Sequence, residues 1–388
     1  MKRKILAVTG ARSEYDLMFS VYEKLANNPL IDFQIIITGP HLSENFGFTA
    51  KNIIDDGFRI ADKIYNLIDS SQKIGRVISI GNQINAIAHA INRLEPDIVL
   101  VAGDREEAIS TTMTCAYLNT AVAHFFGGDV AKDGNIDNSV RYAASKFAHL
   151  HFTTLQSHKN NLIRLGEDPW RIHVVGNPAL DRFLDTSNLS RDEVGKRLGV
   201  KFSGNESYFV LIQHPIITQI EKQKEHIRIT LDSILRFDVK CFVNYPNSDA
   251  GSFEIIQQLN QYQSRYPHIF KIFKNLERET YVNLLRHASL LLGNSSSGIL
   301  EAASLKLPVI NIGDRQRGRL AAANVIFVNN VQEDIQEAIS KALNNTDFIK
   351  VVSEVENPYG DGDSSSRILK VLENVEVSDE LIYKNITY

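Results

Sequence analysis

The chain has 388 residues, of which 43% are hydrophobic and 23% are charged. This length predicts two domains, each large enough to bury a core of its own. The 42 Lys and Arg residues against 46 Asp and Glu residues give a net charge of −4, which argues against a protein that binds nucleic acid through a large basic surface. The two cysteines are too few for a disulfide framework or a cysteine-rich metal site.

No stretch of the sequence approaches the ~20 apolar residues that a membrane-spanning helix needs. The first residues are basic, but the apolar run Ile5–Val8 that follows is too short for the core of a secretory signal. We therefore expect a cytoplasmic protein that binds neither membranes nor nucleic acid.

Short apolar runs in the first half of the chain predict strands. They are Lys4–Thr9, Phe33–Thr38, Asp97–Ala102, Ala121–Phe126 and Ile172–Val175. Continuous runs of Val, Ile and Leu are typical of parallel strands that helices cover on both faces. Apolar residues from Ile74 to Leu94 recur every three or four positions, which predicts a helix that ends before Pro96.

A polar segment, residues 181–206, separates this series from a second one. The second series comprises Tyr208–Gln213, Val239–Tyr245, Ser289–Gly293, Val309–Ile312 and Val325–Val328, and residues 367–375 predict a last helix. The alternation predicts an α/β protein with two Rossmann-like domains, residues 1–185 and 186–366, followed by a C-terminal helix and tail, residues 367–388. Ligands of such sheets bind beyond the carboxyl ends of the strands, so the cleft between the domains is the expected site.

The turn after the first strand, Thr9–Asp16, is the first candidate site. It lacks the glycine spacing GxGxxG of a dinucleotide-binding turn, so NAD is disfavoured. Gly10 and Arg12 stand where a helix begins and can receive a phosphate through backbone N–H groups and a guanidinium. A plain loop with a solvated arginine explains the same residues equally well.

Carboxylates follow two later strands of the first half. Asp104 and Arg105 come directly after the third apolar run, where Asp104 is as well suited to cap a helix as to act in catalysis. The sequence HFFGGD, which ends at Asp129, and then Asp137 follow the fourth run. A glycine-rich turn with Asp137 as a helix cap is the alternative, but three carboxylates after two neighbouring strands favour a catalytic role.

The segment Gly293–Glu301, GNSSSGILE, is the most specific motif of the second half. Hydroxyls and unpaired backbone N–H groups at a helix N-terminus form a diphosphate site, and a helix cap explains one serine but not three. Glu301, further along this helix, can accept both hydroxyls of a ribose. His214, Asn247 and Arg315 follow other strands of this half. The sequence has no metal-ligand spacing and no Walker A motif, which predicts a nucleotide site without a metal.

Long segments of the chain resemble the hydrolysing UDP-N-acetylglucosamine 2-epimerases, especially the type of the sialic-acid and legionaminic-acid pathways. The matching segments are, in order, TGPHL, VAGDRE, IDNSVRYAASKFAHLHF, QHPIIT, YPNSDAGS, GNSSSGILEAASLKLPVINIGDRQRGR and NPYGDGDSS. The resemblance implies a glycosyltransferase-B-like architecture in which the C-terminal helix returns to the first domain. It also implies a homodimer or homotetramer, a UDP-sugar substrate, and no requirement for a metal or another cofactor.

The reaction implied by this resemblance converts UDP-N-acetylglucosamine and water to N-acetylmannosamine and UDP, the first step towards sialic acid. The hydrogen on C2 of the sugar is not adjacent to a carbonyl, so its direct removal is too costly. Departure of UDP gives C1 oxocarbenium character, elimination then forms a 2-acetamidoglucal, and water adds back with the configuration at C2 inverted. Such an enzyme needs carboxylates at the sugar and hydrogen-bond donors on the leaving diphosphate.

The resemblance carries roles over to the residues that match family motifs. Asp104 and Asp137 match the family's catalytic carboxylates, and Asp129 and His214 complete the predicted catalytic set. The predicted substrate contacts are Arg12, His41, Arg105, Asn247, Ser295, Ser296, Glu301 and Arg315. Among these, Glu301 matches the ribose contact, and His214 also matches a nucleotide contact.

Two positions depart from the family pattern. Where the human type reads Glu-Gly-Gly-Glu, this chain reads FGGD from Phe126 on, so an aromatic residue replaces a catalytic glutamate and leaves Asp129, His124 or Asp137 to take over its role. Leu17 replaces a lysine of the first loop. The first departure keeps open the same reaction on a nucleotide-linked 2,4-diacetamido-2,4,6-trideoxyhexose, whose 6-methyl group Phe126 could contact. A retaining glycosyltransferase and a non-catalytic nucleotide-sugar sensor are the remaining alternatives.

Overall fold

The computed structural model describes residues 2–70, 72–130, 136–202, 204, 206–247, 249–385 and 387. It divides into two compact domains: the first comprises Met1–Arg182 and Gly362–Tyr388, and the second comprises Phe183–Asp361. The sequence places the corresponding boundaries after residues 185 and 366, a few residues later along the chain.

The first domain is built on a parallel sheet of seven strands. These are β1 (Arg3–Thr9), β2 (Ile31–Thr38), β3 (Ile60–Ile64), β4 (Ile98–Ala102), β5 (Ala121–Phe125), β6 (Leu150–Thr153) and β7 (Ile172–Val174). Their order across the sheet is β3-β2-β1-β4-β5-β6-β7, and each neighbouring pair is parallel. The strand order reverses between β1 and β4, the position beyond which open α/β sheets bind their ligands.

The second domain repeats this plan with six parallel strands. These are β8 (Tyr208–Ile212), β9 (Lys240–Asn244), β10 (Phe270–Phe273), β11 (Leu290–Gly293), β12 (Val309–Ile312) and β13 (Val325–Val328). Their order is β10-β9-β8-β11-β12-β13, so the reversal lies between β8 and β11. The two sheets confirm the predicted fold class of two Rossmann-like α/β domains.

Helices connect the strands of both sheets. The helices along the first part of the chain are α1 (Arg12–Ala26), α2 (Ala50–Asp55), α3 (Lys73–Leu94), α4 (Glu106–Tyr117), α5 (Asp137–Phe147), α6 (Gln156–Arg164) and α7 (Ala179–Leu184). Those that follow are α8 (Arg191–Leu198), α9 (Gln223–Leu235), α10 (Ser252–Arg265), α11 (Arg278–Arg286), α12 (Ser297–Leu300), α13 (Gln332–Asn344), α14 (Thr346–Glu354), α15 (Ser364–Asn374) and α16 (Asp379–Ile382). None of the helices in the described ranges is both long and apolar enough to cross a membrane.

Three strands were not predicted from the sequence: β3, β6 and β10. β3 lies at the edge of its sheet and contains Asp62 and Lys63, so it lacks the continuous apolar run of a strand that is covered on both faces. β6 and β10 have four residues each, and a histidine or a lysine interrupts their apolar pattern. The strands that were predicted include β4, in which all five residues are buried.

The C-terminal helix α15 packs into the core of the first domain. Ile368 and Leu372 are buried in the hydrophobic cluster that also contains Met18 and Leu25 of α1. The Asp181 carboxylate accepts hydrogen bonds from the backbone N–H groups of Ser364 (3.1 Å) and Ser365 (2.6 Å), the first two residues of α15. A carboxylate at this end stabilises the helix because it satisfies free N–H groups and faces the positive end of the helix dipole.

Candidate active site

The predicted site residues of the first domain lie after the strands β1, β2, β4 and β5, which are neighbours in the order β2-β1-β4-β5. Because the strands are parallel, their carboxyl ends meet at one edge of the sheet. Polar side chains from four separate stretches of sequence are therefore brought to the same edge.

Arg141 on α5 connects two of the predicted carboxylates. Its Nη2 donates a hydrogen bond to the Asp104 carboxylate, and its Nη1 lies 3.3 Å from Asp129 Oδ2. The Arg141 side chain is 10% exposed, against 26% for Asp104 and 51% for Asp129. A nearly buried guanidinium thus holds two carboxylates whose oxygens remain open to solvent.

The geometry excludes the alternative in which Asp104 caps a helix. Helix α4 begins at Glu106, its N-cap residue is Arg105, and no side chain caps it. The Asp104 carboxylate instead pairs with Arg141, four residues after Asp137 on α5. Residues four apart share one face of a helix, so Asp137 and Arg141 point the same way. Asp104 and Asp129 therefore meet at this arginine, and Asp137 lies one turn before it on the same helix.

Phe126, which replaces the family glutamate, directly follows β5 in a strained turn. Its φ angle is 65°, in the left-handed region that aromatic residues rarely adopt. Its backbone N–H donates to Phe152 O (3.1 Å), and its half-buried ring packs against the hydrophobic core of the first domain. Two residues later Gly128 has a φ of 76°, and a Cβ atom there would clash with the backbone of His158. The backbone therefore fixes the direction in which the Phe126 side chain leaves the chain.

His124 supports this turn and has no free ring nitrogen. Its Nδ1 lies 2.9 Å from Ser145 Oγ, and its Nε2 lies 2.7 Å from Gly103 O, the residue before Asp104. Burial lowers the pKa of His124 to about 3, so its ring is neutral at physiological pH. His124 therefore positions the turn that presents Asp104.

The basic residues of this edge differ in their environment. Arg12 is the first residue of α1, and its mostly exposed guanidinium lies 3.5 Å from Asp16 Oδ2. Arg105 lies with its Nε 3.6 Å from Glu107 Oε2, while 43% of its side chain is exposed. Both guanidinium groups are accessible to an anion.

His41 is fully buried, unlike these arginines. Its Nδ1 lies 2.7 Å from Thr49 Oγ1 and its Nε2 lies 3.3 Å from Thr9 Oγ1. Burial lowers its pKa to about 4. The ring orders the turns after β1 and β2, and its predicted contact with substrate stays a prediction.

The C-terminal tail holds the far end of α5. Lys384 Nζ donates to Lys146 O (2.9 Å) and Ala148 O (2.6 Å) and lies 2.6 Å from Glu167 Oε2. A cation beside the last carbonyls of a helix satisfies them and faces the negative end of the dipole. The helix that carries Asp137 and Arg141 is thereby fixed at its C-terminal end.

The second domain has a site of a different character, centred on Asn294 after β11. Its side-chain amide accepts from His214 N (2.7 Å) and donates to His214 O (2.9 Å). Its backbone oxygen accepts from Arg315 Nη1 (3.1 Å) and Gln316 Nε2 (3.1 Å). Gly293 permits this approach, because a Cβ atom there would clash with the backbone of Ile212. Asn294 therefore joins the ends of β8, β11 and β12.

His214 is a neutral hydrogen-bonding group in this site. Its Nδ1 accepts from the backbone N–H of Asn247 (3.0 Å), which leaves the proton of a neutral ring on Nε2. Burial, and then the charge of Arg315, lower its pKa to about 4. The Asn247 amide in turn lies 2.5 Å from Asp249 Oδ2. The structure thus brings together His214, Asn247 and Arg315, as the sequence predicts.

The three serines after β11 have different environments. Ser297 is buried, and its hydroxyl lies 2.7 Å from Tyr281 Oη and donates to the Glu301 carboxylate. Ser295 and Ser296 remain half-exposed, with the Ser295 hydroxyl accepting from Ser297 N (3.3 Å). The helix that follows is shorter than predicted, since α12 ends at Leu300 and a 3-10 turn continues it. The hydroxyls of Ser295 and Ser296 are therefore available to a ligand. The Glu301 carboxylate is bound to Ser297, and burial raises its pKa.

A family model described as UDP-N-acetylglucosamine 2-epimerase matches residues 23–373 of this chain. The chain belongs to this family. Within the described part of the chain, no group of three or more His, Cys, Asp and Glu side chains is placed to hold a metal ion.

Two relatives match this chain along nearly its whole length. The UDP-N,N'-diacetylbacillosamine 2-epimerase (hydrolyzing) of Legionella pneumophila is 33% identical, with 99% of each chain covered. The GDP/UDP-N,N'-diacetylbacillosamine 2-epimerase (hydrolyzing) of Campylobacter jejuni is 32% identical, covering 99% of this chain and 98% of the relative.

A solved structure shows the same fold at lower identity. The UDP-GlcNAc 2-epimerase from Neisseria meningitidis bound to UDP-GlcNAc has a TM-score of 0.75 with 21% identity, and the match covers 96% of this chain and all of that one. The chain therefore has the glycosyltransferase-B-like two-domain fold that its sequence predicts.

Sequence reasoning missed two residues that organise these sites, Arg141 and Asn294. Arg141 follows Asp137 by four positions within the segment IDNSVR, so the helical spacing was the available signal. Asn294 stands between a buried strand and the serines, where only the tertiary structure shows that its amide joins two strand ends.

Proposed function

We propose that this protein is a hydrolysing 2-epimerase of a UDP-sugar. The observation that carries the proposal is the pairing of Arg141 with Asp104 and Asp129, on the same helix face as Asp137. It supplies ordered, partly exposed carboxylates at the ligand-binding edge of the first sheet. The family membership and the names of the two relatives support the same reaction.

The second domain is proposed to bind UDP. Arg315 and the hydroxyls of Ser295 and Ser296 stand at the ends of neighbouring strands and supply donors for a diphosphate. His214 is neutral and presents an N–H at Nε2, so it donates a hydrogen bond to a phosphate oxygen without adding charge. These donors stabilise the negative charge that develops on UDP as the C1–O bond breaks.

The carboxylates of the first domain are proposed to transfer the protons. In the elimination, the C2–H bond and the C1–O bond to UDP break and a C1=C2 double bond forms, giving a 2-acetamidoglucal. In the hydration, the hydroxyl of water adds to C1. A proton adds to C2 on the face opposite the one from which the first proton was removed, which inverts C2. Asp104 and Asp137 supply the base and the acid, and Arg141 holds Asp104 and Asp129 in place.

Within this reaction, we propose a UDP-linked 2,4-diacetamido-2,4,6-trideoxy sugar as the substrate. Phe126 places an aromatic ring where the human type has a glutamate, and an apolar 6-methyl group suits such a ring better than a hydroxyl. The two relatives at 33% and 32% identity are named for UDP-N,N'-diacetylbacillosamine, a sugar of this kind. The second candidate substrate is UDP-N-acetylglucosamine, whose conversion to N-acetylmannosamine is the first step towards sialic acid. The description of the family model favours this substrate.

The deciding experiment incubates the protein with each UDP-sugar in deuterated water and identifies the products by NMR. We expect one equivalent of UDP for each free sugar, the manno configuration, and one deuterium at C2, with faster turnover of the trideoxy donor. A free gluco sugar without deuterium would show a simple hydrolase. Reaction only after an acceptor is added would show a glycosyltransferase, and binding of UDP without any release from the donor would show a sensor.

A further inference from the structure

A second pair of acidic side chains lies at the same edge of the first sheet, apart from the aspartates described above. Glu14 on α1 and Glu107 on α4 are both buried. The Glu14 carboxylate accepts from the backbone N–H of Gly10 (3.2 Å) through Oε2. Two further carboxylate oxygens are shielded from solvent and have no hydrogen-bond partner among the described residues. They are Glu14 Oε1 and Glu107 Oε2. Two carboxyl groups without full hydrogen bonding are costly to bury, so their retention calls for a function.

The backbone makes room for this pair with glycines. A Cβ atom at Gly10, after β1, or at Gly39, after β2, would clash with Glu107 Oε1. At Gly103, after β4, a Cβ atom would lie 3.8 Å from Glu14 Oε1. Three adjacent strands therefore end in residues without side chains around two carboxyl groups. Any larger residue at Gly10 or Gly39 would displace the Glu107 carboxylate.

The guanidinium of Arg105 lies against this pair. Arg105 Nε is buried 3.6 Å from Glu107 Oε2, while the far end of the side chain reaches solvent. Two ionised carboxylates against a single guanidinium leave an uncompensated buried negative charge, which is unfavourable. Burial and the charge of Glu107 raise the pKa of Glu14 to about 8. Near neutral pH the pair therefore retains one proton, and its single negative charge balances Arg105.

We infer that Glu14 and Glu107 act as one proton-sharing carboxyl pair that positions Arg105 to bind the diphosphate of the nucleotide. This inference rests on the proposed function, because it takes the bound anion to be UDP. Glu14 and Glu107 are positioning residues, since they act through Arg105. With one proton on the pair, the guanidinium remains free to extend towards an anion. When that proton is lost, a second negative charge holds the guanidinium inward and repels the diphosphate.

The pair is the group at this edge whose ionisation falls in the mildly alkaline range. Among the described residues, Tyr22 on α1 interacts electrostatically with Glu14, and His41 after β2 interacts with Arg105. Burial lowers the pKa of His41 to about 4, and burial raises the pKa of Tyr22 further above its usual value. UDP itself loses its last phosphate proton near pH 6, and its uracil N–H ionises only at more alkaline pH, so its charge is nearly constant between pH 7 and 8.5. Burial also lowers the pKa of Lys384, at the far end of α5, to about 8, and this residue is present in every variant of the test. A change in UDP affinity between pH 7 and 8.5 that Glu14→Gln abolishes therefore reports on the pair.

The test measures UDP binding to the full chain by calorimetry between pH 7 and 8.5. In the wild type we expect the Kd to rise about threefold over this range, as a second negative charge is added to the pair beside Arg105. In Glu14→Gln, which cannot ionise, the Kd stays at its pH 7 value throughout. In Glu107→Gln, the Kd is raised about tenfold already at pH 7, because Arg105 loses its partner. The control Glu106→Gln removes the neighbouring carboxylate of the same helix turn, which pairs with Arg76, and keeps the wild-type profile.

Tight UDP binding without pH dependence in the wild type would overturn the carboxyl pair and leave the proposed function intact. The wild-type profile retained in Glu14→Gln would overturn it as well. Failure of the folded wild type to bind UDP at any pH would instead remove the proposed function. If Glu14→Gln does not fold, glutamate labelled with ¹³C at the side-chain carboxyl provides a second readout in the wild type. A resonance that titrates near pH 8 is expected, and its absence would refute the shared proton.

Discussion

Replacement of Asp104 by asparagine tests the proposed reaction most directly. The change removes one charge and keeps the shape of the side chain, so the amide oxygen can still accept from Arg141. Arg141 also keeps its ion pair with Asp129, whose Oδ2 lies 3.3 Å from Nη1. The guanidinium is therefore not left unpaired in its nearly buried position, and we expect the fold to be retained.

The expected loss of activity follows from the role of a proton-transferring group. A positioned general acid or base contributes about 10²- to 10⁴-fold to a rate, and an amide supplies none of this. Because each tenfold change in rate corresponds to about 1.4 kcal/mol, the barrier should rise by about 3–5 kcal/mol. The affinity for UDP should change little, since Asp104 belongs to the carboxylate cluster of the first domain and the diphosphate donors are other residues.

The assay measures UDP release and deuterium incorporation at C2 in parallel with UDP binding by calorimetry. The matched control is Asp97→Asn, which changes a carboxylate at the opposite end of the same strand, where Oδ2 accepts from Lys4 N (2.7 Å). We expect Asp97→Asn to behave as the wild type. Turnover of Asp104→Asn within about threefold of the wild type would remove Asp104 from the mechanism, as it falls far below the effect of a general acid or base.

Three further substitutions test other parts of the molecule. Arg315→Ala should raise the Kd for UDP by about 10- to 100-fold, as expected for loss of a charge-assisted contact worth ~1.5–3 kcal/mol. An unchanged Kd in calorimetry would exclude Arg315 from the diphosphate site. Phe126→Glu should shift the kcat/KM ratio of the two donors about tenfold towards UDP-N-acetylglucosamine, and an unchanged ratio would show that this ring does not contact C6. Lys384→Met should lower the free energy of unfolding of the first domain by about 2 kcal/mol, since the cation beside Glu167 is lost. Replacement of the exposed Lys370 by Met is the control, and equal melting curves for the two variants would contradict the reasoning.

The fold and the strand ends could be predicted because burial leaves a clear trace in this sequence. A parallel strand that is covered on both faces must be apolar throughout, so β1, β4 and β8 stand out as continuous runs. The polar residues that follow such runs must lie at the ligand-binding edge of the sheet. This reasoning located Asp104 and His214 without knowledge of their partners.

The partners of these residues could not be predicted, because they depend on which helix packs beside which strand end. The Arg141 guanidinium reaches Asp104 only because α5 packs next to α4. The Asn294 amide reaches His214 only because β8 and β11 are neighbours in the sheet order, although some 80 positions separate the two residues in the chain. The edge strand β3 escaped prediction for a related reason, since a strand with one open side can carry charged residues.

The edge of the first sheet contains the same combination of side chains twice, in opposite arrangements. Each set places one guanidinium against two carboxyl groups. The first set is Arg141 with Asp104 and Asp129, and the second is Arg105 with Glu14 and Glu107. In the first set the arginine is enclosed and the carboxylates are open to solvent, as proton transfer to a bound sugar requires. In the second set the carboxyl groups are enclosed and the arginine is open, as binding of an anion requires. Burial thus decides which member of each set faces solvent, and the substitutions at Asp104 and Glu14 test the two arrangements separately.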